Sequence, residues 1–550
     1  MRNENFLSFI EKRTKRVEDS VALGTRTNLD WAELTYKGLG ILSRKIGGYL
    51  ISSGMNKGDK AAILSESMPE FGAAIFGTVL AGLTIVPLDV KLTIHEYTHI
   101  LSDCLPRVIF TSQAYLQTAK KLKEIIPSIE KIVVLDGKSA STDEHINLYT
   151  MEHQPDRKWR HQRLDKTALI VYTSGTTGNP KGVEITFKNM LSQVHAIEKC
   201  FKFGKNDSML SFLPMNHLYE ISVGFMSFLN QGASIYYSHS LKPKDILSVM
   251  NTKKIAFMAT VPSFLKLLKS TLEAEIKQYG PFKKPFFEFK YALASMFNNP
   301  ILSKILFREL RSKFGPNFKG FMSGGAPLEY EVAKFFEALG ITIYEAYGLS
   351  EASPIVSMNR VGHRRLGSVG KAIPGVKVRI DSQTGELQVL GPNIMKGYYN
   401  NPELTKTVFT QDGWLKTGDI AKISQHGYIY ITGRIKNMIV LSGGKKVFPE
   451  EVEAVLSKSE MIEEVIVYSH KKTTGQKEGT EEIVAKIYPG KAVVEKYQDD
   501  KELYEVIRTE VKKLSTELSI YKRPTGIEVT REPLPRTGIS KIIRKAVNAQ

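Results

Sequence analysis

The sequence predicts an α/β protein with a large multi-layer N-terminal domain and a smaller α+β C-terminal domain. Its 550 residues, 42% of them hydrophobic, are enough to bury more than one core. Up to about residue 365, short apolar runs alternate with helical patterns, which is typical of parallel sheets covered on both faces. Beyond that point, short strands separated by Gly and Asp turns indicate a distorted antiparallel β unit.

The apolar runs predict the strands in order. From residue 449 the pattern changes again, to α+β, and this pattern continues to the end. We therefore expect an N-terminal domain over residues 1–433 and a C-terminal lid domain over residues 434–550. The expected strands begin at Lys60, Thr84, Arg107, Lys131, Ser234, Ile255, Phe318 and Ile341, and in the β unit at Val376, Glu386 and Tyr428.

Residues 71–88 form an uncharged stretch that is long enough to be considered as a membrane span. The stretch contains three glycines and Pro87, so we expect a packed helix that leads into a buried strand. The first residues lack the apolar core of a signal peptide. Cys104 and Cys200 cannot form a disulfide framework and lack metal-ligand spacing. These features predict a cytoplasmic location.

The chain is basic, with 76 Lys and Arg against 57 Asp and Glu and a net charge of +19. Such a surface attracts polyanions, although a lysine-rich composition across a whole proteome would give the same balance. The basic residues are scattered and no nucleic-acid-binding module is evident, so we expect no nucleic-acid partner. A basic membrane-surface binding protein without catalysis is the alternative from a different class.

Residues 172–182 form the segment that most clearly indicates chemistry. Within residues 173–182 there are four Ser/Thr hydroxyls, three glycines and one lysine, directly after an apolar strand. Glycines let the backbone approach an anion, and hydroxyls, amides and a lysine supply what a polyphosphate needs. Pro180 precedes Lys181, so this is not a Walker A loop. The alternative from composition is a Gly-rich surface loop.

This segment resembles the phosphate-binding signature of the adenylate-forming (AMP-binding) superfamily, which includes acyl-CoA synthetases, luciferases and adenylation domains. Other segments resemble further motifs of that family, in the family's order, over about residues 30–545. The resemblance implies ATP and Mg²⁺ as cofactors and CoA as co-substrate. The other segments are residues 212–220, 323–328, 344–351, 413–419, 433–436, 442–449 and 535–541.

The resemblance assigns nucleotide binding to residues in most of these segments. Tyr347 would stack on the adenine, and Asp419 would accept hydrogen bonds from both ribose hydroxyls. Arg434 would reach the ribose or a phosphate. Ser350 stands where many members have threonine, and it retains the hydroxyl. The full nucleotide set is Thr173, Ser174, Gly175, Thr176, Thr177, Gly178, Lys181, Gly325, Ala326, Pro327, Glu345, Ala346, Tyr347, Gly348, Ser350, Asp419, Arg434 and Lys541.

The catalytic residues implied by the resemblance are Lys541, Lys181 and Glu351. Lys541 would bridge the substrate carboxylate and the α-phosphate. Glu351 would bind Mg²⁺ together with Thr173, because a carboxylate and a hydroxyl suit a hard cation that phosphates already hold. As an isolated residue, Lys541 would be one more solvated lysine in a basic tail.

Three further roles follow from the resemblance. His217 and Gly324 would line the acyl pocket, although an isolated histidine is more often structural. Lys436 matches the position of the hinge about which the C-terminal domain rotates in this family. Gly443 and Gly444 would border the channel for the pantetheine arm of CoA.

Residues 212–220 indicate the substrate, because an acidic residue after the histidine resembles long-chain fatty acyl-CoA synthetases. This resemblance implies activation of a long-chain fatty acid to acyl-AMP with release of pyrophosphate, followed by transfer to CoA. The alternative enzyme is a fatty acyl-AMP ligase that loads an acyl carrier protein. Such ligases typically carry an insertion that hampers domain rotation, and none is evident here.

Basic and apolar residues are interleaved over residues 253–320, which fits a helix that docks on an anionic membrane. The alternative is a helix that packs its apolar face on the core. The first interpretation predicts a peripheral location on the inner face of a membrane. A homodimer is expected on general grounds. The apolar residues are Phe264, Leu265, Phe282, Phe286, Phe287, Phe297 and Phe307, with Ile301, Leu302, Ile305 and Leu306 expected on one helix face.

Overall fold

The structure is a computed structural model. It describes residues 17–26, 30–137, 141–151, 159–160, 163–173, 180–238, 240, 242–297, 299–441, 445–471, 481–535 and 544. Two large mixed sheets, a small antiparallel sheet and a separate three-stranded sheet make up its framework. The predicted fold class, with a large N-terminal domain and a smaller C-terminal domain, is confirmed.

Strands form at all the predicted positions. In chain order they are β1 (Val21–Arg26), β2 (Trp31–Thr35), β3 (Lys60–Leu64), β4 (Thr84–Pro87), β5 (Val108–Thr111), β6 (Lys131–Val134), β7 (Ile146–Asn147), β8 (Thr167–Thr173), β9 (Lys181–Thr186), β10 (Ser208–Ser211), β11 (Ser234–Tyr237), β12 (Phe257–Thr260), β13 (Gly320–Ser323), β14 (Ile343–Gly348), β15 (Ile355–Met358), β16 (Lys371–Ala372), β17 (Lys377–Ile380), β18 (Glu386–Leu390), β19 (Gly397–Tyr398), β20 (Leu415–Ile423), β21 (Ile429–Arg434), β22 (Ile439–Val440), β23 (Lys446–Val447), β24 (Glu464–Lys471), β25 (Glu481–Tyr488) and β26 (Gly526–Val529).

Helices connect most of the parallel strands. They are α1 (Tyr36–Ser52), α2 (Pro69–Ala81), α3 (Ile94–Cys104), α4 (Leu116–Ile125), α5 (Phe187–Cys200), α6 (Ser227–Asn230), α7 (Pro243–Thr252), α8 (Pro262–Lys277), α9 (Lys283–Phe297), α10 (Pro300–Leu306), α11 (Arg308–Ser312), α12 (Tyr330–Ala338), α13 (Pro402–Thr407), α14 (Pro449–Leu456), α15 (Lys491–Lys496) and α16 (Asp500–Leu514), with a π-helix at Glu220–Met226 before α6.

The first large sheet has the order β19–β9–β8–β4–β3–β5–β6–β7. From β8 to β7 the neighbouring strands are parallel, whereas β9 pairs antiparallel with β8 and β19. Strands β4 and β5 are buried at every position, because helices cover both faces of a parallel sheet. This explains the continuous apolar runs that predicted them.

The uncharged stretch at residues 71–88 folds as the predicted helix and strand, α2 and β4. Helix α2 ends at Gly82, whose φ of 78° is in the left-handed region that glycine adopts without strain. Helices α1 and α2 approach closely at Gly77, where an added Cβ would lie 2.5 Å from Ile46. In the described ranges, no helix has both the length and the apolar character needed to cross a bilayer.

The second large sheet has the order β16–β15–β14–β13–β12–β10–β11–β1–β2, and its six central strands are parallel. Parallel strands end at the same sheet edge. Thr260 and Ser323 are the last residues of β12 and β13, and both are in register with Glu345, which lies near the end of β14. The loops that follow β13 and β14 therefore start side by side. This edge is where an α/β sheet commonly binds a ligand.

The β unit is an antiparallel sheet of order β17–β18–β20–β21, as the sequence predicts. Its last two strands pair Asp419 directly with Arg434. Because directly opposed residues in an antiparallel pair lie on the same face, the register itself brings these two charges together.

The C-terminal α+β part has its own core, built from β24–β26, α14 and α16, with buried residues from Ile439 to Leu518. Contacts between described residues join it to the larger part. Phe448 packs on Gly433, and Lys266 Nζ donates a 2.8 Å hydrogen bond to the backbone oxygen of Glu463. The division at residues 433/434 stays a prediction.

The four apolar residues of α10 that are expected on one helix face, Ile301, Leu302, Ile305 and Leu306, differ in burial. Ile301 and Ile305 are exposed, whereas Leu306 packs against the core of the second sheet. The reason is that neighbouring elements cover only part of this short helix. The interleaved aromatic residues divide in the same way: Phe264, Leu265 and Phe307 are core residues, Phe287 packs at the edge of the core, and Phe282, Phe286 and Phe297 are exposed.

Candidate active site

The β8–β9 hairpin carries the ends of the Gly-rich segment. Thr173 and Lys181 are paired at the loop end of the hairpin, and both are half-buried. The next pair includes Gly182, where an added Cβ would lie 2.9 Å from Ile170 and 3.1 Å from Tyr399. Glycine is therefore required for β19 to close against this hairpin. The predicted phosphate-binding residues Ser174, Gly175, Thr176, Thr177 and Gly178 lie outside the described residues.

The adenine and ribose motifs meet at three side chains. The phenol of Tyr347 donates a 2.6 Å hydrogen bond to Oδ2 of Asp419, and Arg434 donates from Nε to Oδ1 of the same carboxylate. Burial and the charge of Asp419 raise the pKa of Tyr347 well above its usual value, so its phenol stays protonated as a donor. A carboxylate has about four acceptor positions, so Asp419 retains capacity for ribose hydroxyls.

The predicted magnesium ligand Glu351 lies in the turn Ser350–Ala352 that follows β14. Its Oε1 accepts a 2.8 Å hydrogen bond from the phenol of Tyr398, and its backbone oxygen accepts one from Met395. The ammonium of Lys181 lies 5.7 Å from the centroid of the Tyr398 ring, within cation–π range. Tyr398 thus connects two predicted catalytic residues, Lys181 on β9 and Glu351 in the turn after β14.

A second wall of the site joins the His217 segment to the loop after β13. His217 precedes the π-helix, and its backbone oxygen accepts a hydrogen bond from Ile221. Tyr219 donates a 3.3 Å hydrogen bond to the backbone oxygen of Met322, and its ring would lie 3.3 Å from a Cβ on Gly324. Gly324 therefore gives Tyr219 room against the loop, and the two predicted acyl-pocket segments are adjacent.

Glu345 is a predicted nucleotide-binding residue whose side chain is buried. Burial raises the pKa of Glu345 to about 8, and the positive charge of Arg364 opposes this shift. Its backbone oxygen accepts a hydrogen bond from Asn359. This buried carboxyl lies near the end of β14, and its role in nucleotide binding stays a prediction.

The remaining predicted site residues are either at least partly exposed to solvent or outside the described residues. Gly325, Pro327 and Gly348 are exposed, and Ala326, Ala346 and Ser350 are half-buried beside them in sequence. Lys436 is exposed in the turn Ile435–Asn437, directly after β21. Lys541, Gly443 and Gly444 lie outside the described residues.

The structure adds Tyr398 and Tyr219 to the candidate site. Tyr398 is 47 residues from Glu351 in the chain, and no spacing pattern relates the two. Tyr219 lies inside the His217 segment, where its spacing alone does not distinguish it from a core tyrosine. For Tyr398, the sequence signal that could have been noticed is the preceding Gly397. The two residues form a short strand at the edge of the first sheet.

The donor set fits a magnesium–nucleotide complex. Glu351 offers a half-buried carboxylate fixed by Tyr398, and Thr173 offers a half-buried hydroxyl at the end of β8. Oxygen ligands of this kind suit Mg²⁺, which normally keeps further ligands from phosphates and water.

Comparison with solved structures identifies the fold, and comparison with protein families identifies the class of protein. Over 99% of its length, the chain resembles the crystal structure of ATP-bound MatB from Rhodopseudomonas palustris, with a TM-score of 0.80, 23% identity and 98% of that chain covered. The family described as AMP-binding enzyme matches residues 10–399. The chain therefore belongs to the AMP-binding enzyme family.

Curated relatives of the chain have names that state a substrate. The chain is 27% identical over 439 residues to "Long-chain-fatty-acid–CoA ligase FadD15" of Mycobacterium bovis, covering 76% of this chain and 72% of the relative. It is 31% identical over 373 residues to "Long-chain-fatty-acid–[acyl-carrier-protein] ligase AEE15, chloroplastic" of Arabidopsis thaliana, covering 56% of this chain and 51% of the relative.

Proposed function

We propose that the protein is an AMP-forming ligase that activates a long-chain fatty acid with ATP and transfers the acyl group to CoA. The observation that carries the proposal is the hydrogen bond that joins the adenine and ribose motifs at Tyr347 and Asp419, with Glu351 of the magnesium motif held by Tyr398. Family membership supports the adenylate chemistry, and the name of the mycobacterial relative supports the long-chain substrate.

The reaction needs two steps because a free carboxylate is a poor acyl donor. First, a carboxylate oxygen of the acid attacks the α-phosphorus of ATP, the bond to the β-phosphate oxygen breaks, and pyrophosphate leaves. Second, the thiol sulfur of CoA attacks the acyl carbonyl, the bond to AMP breaks, and the thiol proton passes to solvent. The products are AMP and an acyl thioester.

In the first step two anions meet, so positioned cations contribute most. We assign this role to Lys541 and Lys181. Arg434 forms an ion pair with Asp419 at the proposed ribose position. Glu351 and Thr173 would hold Mg²⁺, which supplies charge neutralisation on the phosphates when bound.

The proposed division of the chain places a lid domain after residue 433. Lys436 lies at the junction, and rotation about it would bring Lys541 to the site for adenylation and remove it for thioester formation. Gly443 and Gly444 would border the thiol channel in the second arrangement. The contact of Lys266 with Glu463 belongs to the arrangement seen here.

An acyl carrier protein is the second candidate acceptor, because the plant relative is named as a ligase for that carrier. The match to this relative spans only 56% of the chain, and the mycobacterial CoA ligase matches 76%. CoA is therefore the acceptor that we propose. We also propose a cytoplasmic protein, peripheral on the inner face of an anionic membrane, with no nucleic-acid partner and with a homodimer as the assembly.

The decisive experiment measures pyrophosphate release from ATP and Mg²⁺ with fatty acids of graded chain length, with and without CoA. We expect turnover that depends on CoA and is greatest with long chains. An acyl-adenylate that accumulates regardless of CoA would identify a carrier protein as the acceptor. Absence of pyrophosphate with every fatty acid would refute the proposed substrate class.

A further inference from the structure

Large apolar side chains lie open to solvent along α9, α10 and the residue before α9. Each is between 59% and 89% exposed, which is unusual for side chains of this size on one contiguous segment. We refer to them as the α9–α10 surface. Its members are Phe282, Phe286, Phe289, Met296, Phe297, Ile301 and Ile305.

Helix α9 has two apolar faces, and only one of them serves the core. On the inner face, the Phe287 and Phe307 ring centroids are 5.3 Å apart, and those of Tyr291 and Phe335 are 6.1 Å apart. The exposed members on α9 are Phe286, Phe289, Met296 and Phe297. Their separations of three, seven and one residues place them together on the side of the helix opposite the inner face. Folding of the domain therefore leaves this outer face uncovered.

Basic side chains surround the exposed apolar residues. Lys290 Nζ lies 4.2 Å from the centroid of the Phe286 ring, and Lys290 and Arg308 line one shallow groove with Ile305. The groove joins the two helices into one surface. Over residues 281–311 there are six basic residues, Lys283, Lys284, Lys290, Lys304, Arg308 and Arg311, against the two acids Glu288 and Glu309.

The basic charge around the α9–α10 surface indicates which partner covers it. A second copy of the chain would place one basic surface against another, which is unfavourable unless acidic residues intervene. An anionic lipid bilayer offers apolar chains for the phenylalanine, methionine and isoleucine side chains, and negative headgroups for the surrounding lysine and arginine residues. The aromatic residues also suit the boundary between headgroups and acyl chains.

We propose that the α9–α10 surface docks the protein on an anionic bilayer, with its apolar side chains inserted and its basic side chains among the headgroups. The proposal deepens the peripheral location proposed above and rests on it. The inner face of α9 contacts α12, the helix that follows the Gly324 loop of the candidate site. Docking would therefore place the acyl side of the site next to the phase in which long-chain acids dissolve.

The test is sedimentation of the full chain with two kinds of vesicle, phosphatidylcholine alone and phosphatidylcholine with about 30% phosphatidylglycerol. An apolar variant combines Phe289→Ser, Met296→Ser, Ile301→Ser and Ile305→Ser. A charge variant combines Lys283→Gln, Lys284→Gln and Lys304→Gln. We expect the native chain to bind the anionic vesicles at about 0.1 M salt and to be released by about 0.5 M salt. Each variant should bind at least about tenfold more weakly.

Control variants carry the same kinds of change outside the α9–α10 surface. Ile520→Ser with Val361→Ser removes two exposed apolar side chains, and Lys377→Gln, Lys422→Gln and Lys512→Gln remove three exposed charges. Both controls should bind like the native chain. Pyrophosphate release with a short, soluble fatty acid should be unchanged in all variants, because the substituted side chains lie on the protein surface.

The possible outcomes test the α9–α10 surface and the proposed peripheral location separately. Vesicle binding that persists in both variants would overturn the α9–α10 surface and leave the peripheral location intact. A native chain that ignores anionic vesicles at low salt would overturn both. A dimer that dissociates in the apolar variant, without any vesicle binding, would show that a second copy covers this surface and would also overturn the proposal.

Discussion

The phenol of Tyr347 donates a 2.6 Å hydrogen bond to the carboxylate of Asp419, 72 residues further along the chain. Tyr347 lies next to the last residue of β14 in the nine-stranded sheet, and Asp419 lies in the small antiparallel sheet. This contact makes the proposed adenine and ribose positions parts of one polar unit. Arg434 completes it from the neighbouring strand.

Replacement of Tyr347 by Phe tests this unit. The ring remains available for stacking, but Asp419 loses a donor and is held by Arg434 alone. Because a hydrogen bond to a charged group contributes about 1.5–3 kcal/mol, we expect the KM for ATP to rise about tenfold or more. Pyrophosphate release as a function of ATP concentration measures this. Tyr330→Phe on the exposed start of α12 is the control, and equal effects of the two changes would contradict the assignment.

Tyr398→Phe should weaken the use of Mg²⁺. Tyr398 fixes Oε1 of Glu351, and removal of such an outer partner commonly lowers metal affinity by about tenfold or more. We expect the Mg²⁺ concentration that gives half-maximal pyrophosphate release to rise by about that factor, with saturating Mg²⁺ restoring most of the rate. Tyr430→Phe on β21 should have no such effect. An unchanged Mg²⁺ requirement in Tyr398→Phe would remove Tyr398 from the site.

Lys541→Ala should separate the two proposed steps. Loss of a positioned cation from the first step should slow adenylation by about a hundredfold or more. Thioester formation from supplied acyl-AMP and CoA should stay within a few-fold of the native rate, because the lid has then moved. Lys512→Ala is the control. Equal losses in both steps would refute the alternation of roles and leave the assignment of the fold unaffected.

Glu220 predicts a pH dependence of stability. Its side chain is fully buried, and neither carboxyl oxygen has a hydrogen-bond partner among the described residues. Burial raises the pKa of Glu220 from 4.5 to about 8, and the nearby hydroxyl of Ser211 opposes this shift. Between these two pH values, the unfolded chain binds fewer protons at this residue than the folded protein does. The free energy of unfolding therefore falls as the pH rises from 4.5 to about 8.

Glu220→Gln cannot ionise, so its stability relative to the native chain should increase across that window. We expect the difference in Tm between variant and native protein to shift in favour of the variant by several degrees from about pH 5 to about pH 8.5. Thermal unfolding at both pH values measures this. Glu403→Gln on the exposed helix α13 is the control. A Tm difference that does not change with pH would show that Glu220 is already ionised in the folded protein.

The fold was predictable because its signals are local. Strands β4 and β5 are buried at every position, so each is a continuous apolar run in the sequence. The motif segments were also local, and resemblance to the family supplied roles for Tyr347, Glu351 and Asp419. Tyr398 was missed because its role comes from a phenol that reaches the turn at Glu351, and no spacing pattern in the sequence relates the two residues.

Helix α10 gives a second example of a feature that the sequence alone could not predict. Ile305 and Leu306 are neighbouring apolar residues, but Ile305 is exposed and Leu306 packs on the core. Helical periodicity defines the angle between them, but only the position of neighbouring elements decides which side is covered. The sequence could therefore suggest both a membrane face and a core face without choosing between them.

By itself, the sequence determined the α/β layering, the C-terminal α+β part and the segments that carry the chemistry, because periodicity and motif spacing are properties of short stretches of chain. Tertiary structure decided that Tyr347 meets Asp419, that Tyr398 connects Glu351 with Lys181, and which apolar residues of α9 and α10 face solvent. These contacts join residues from separate elements, and their distances depend on how the sheets pack.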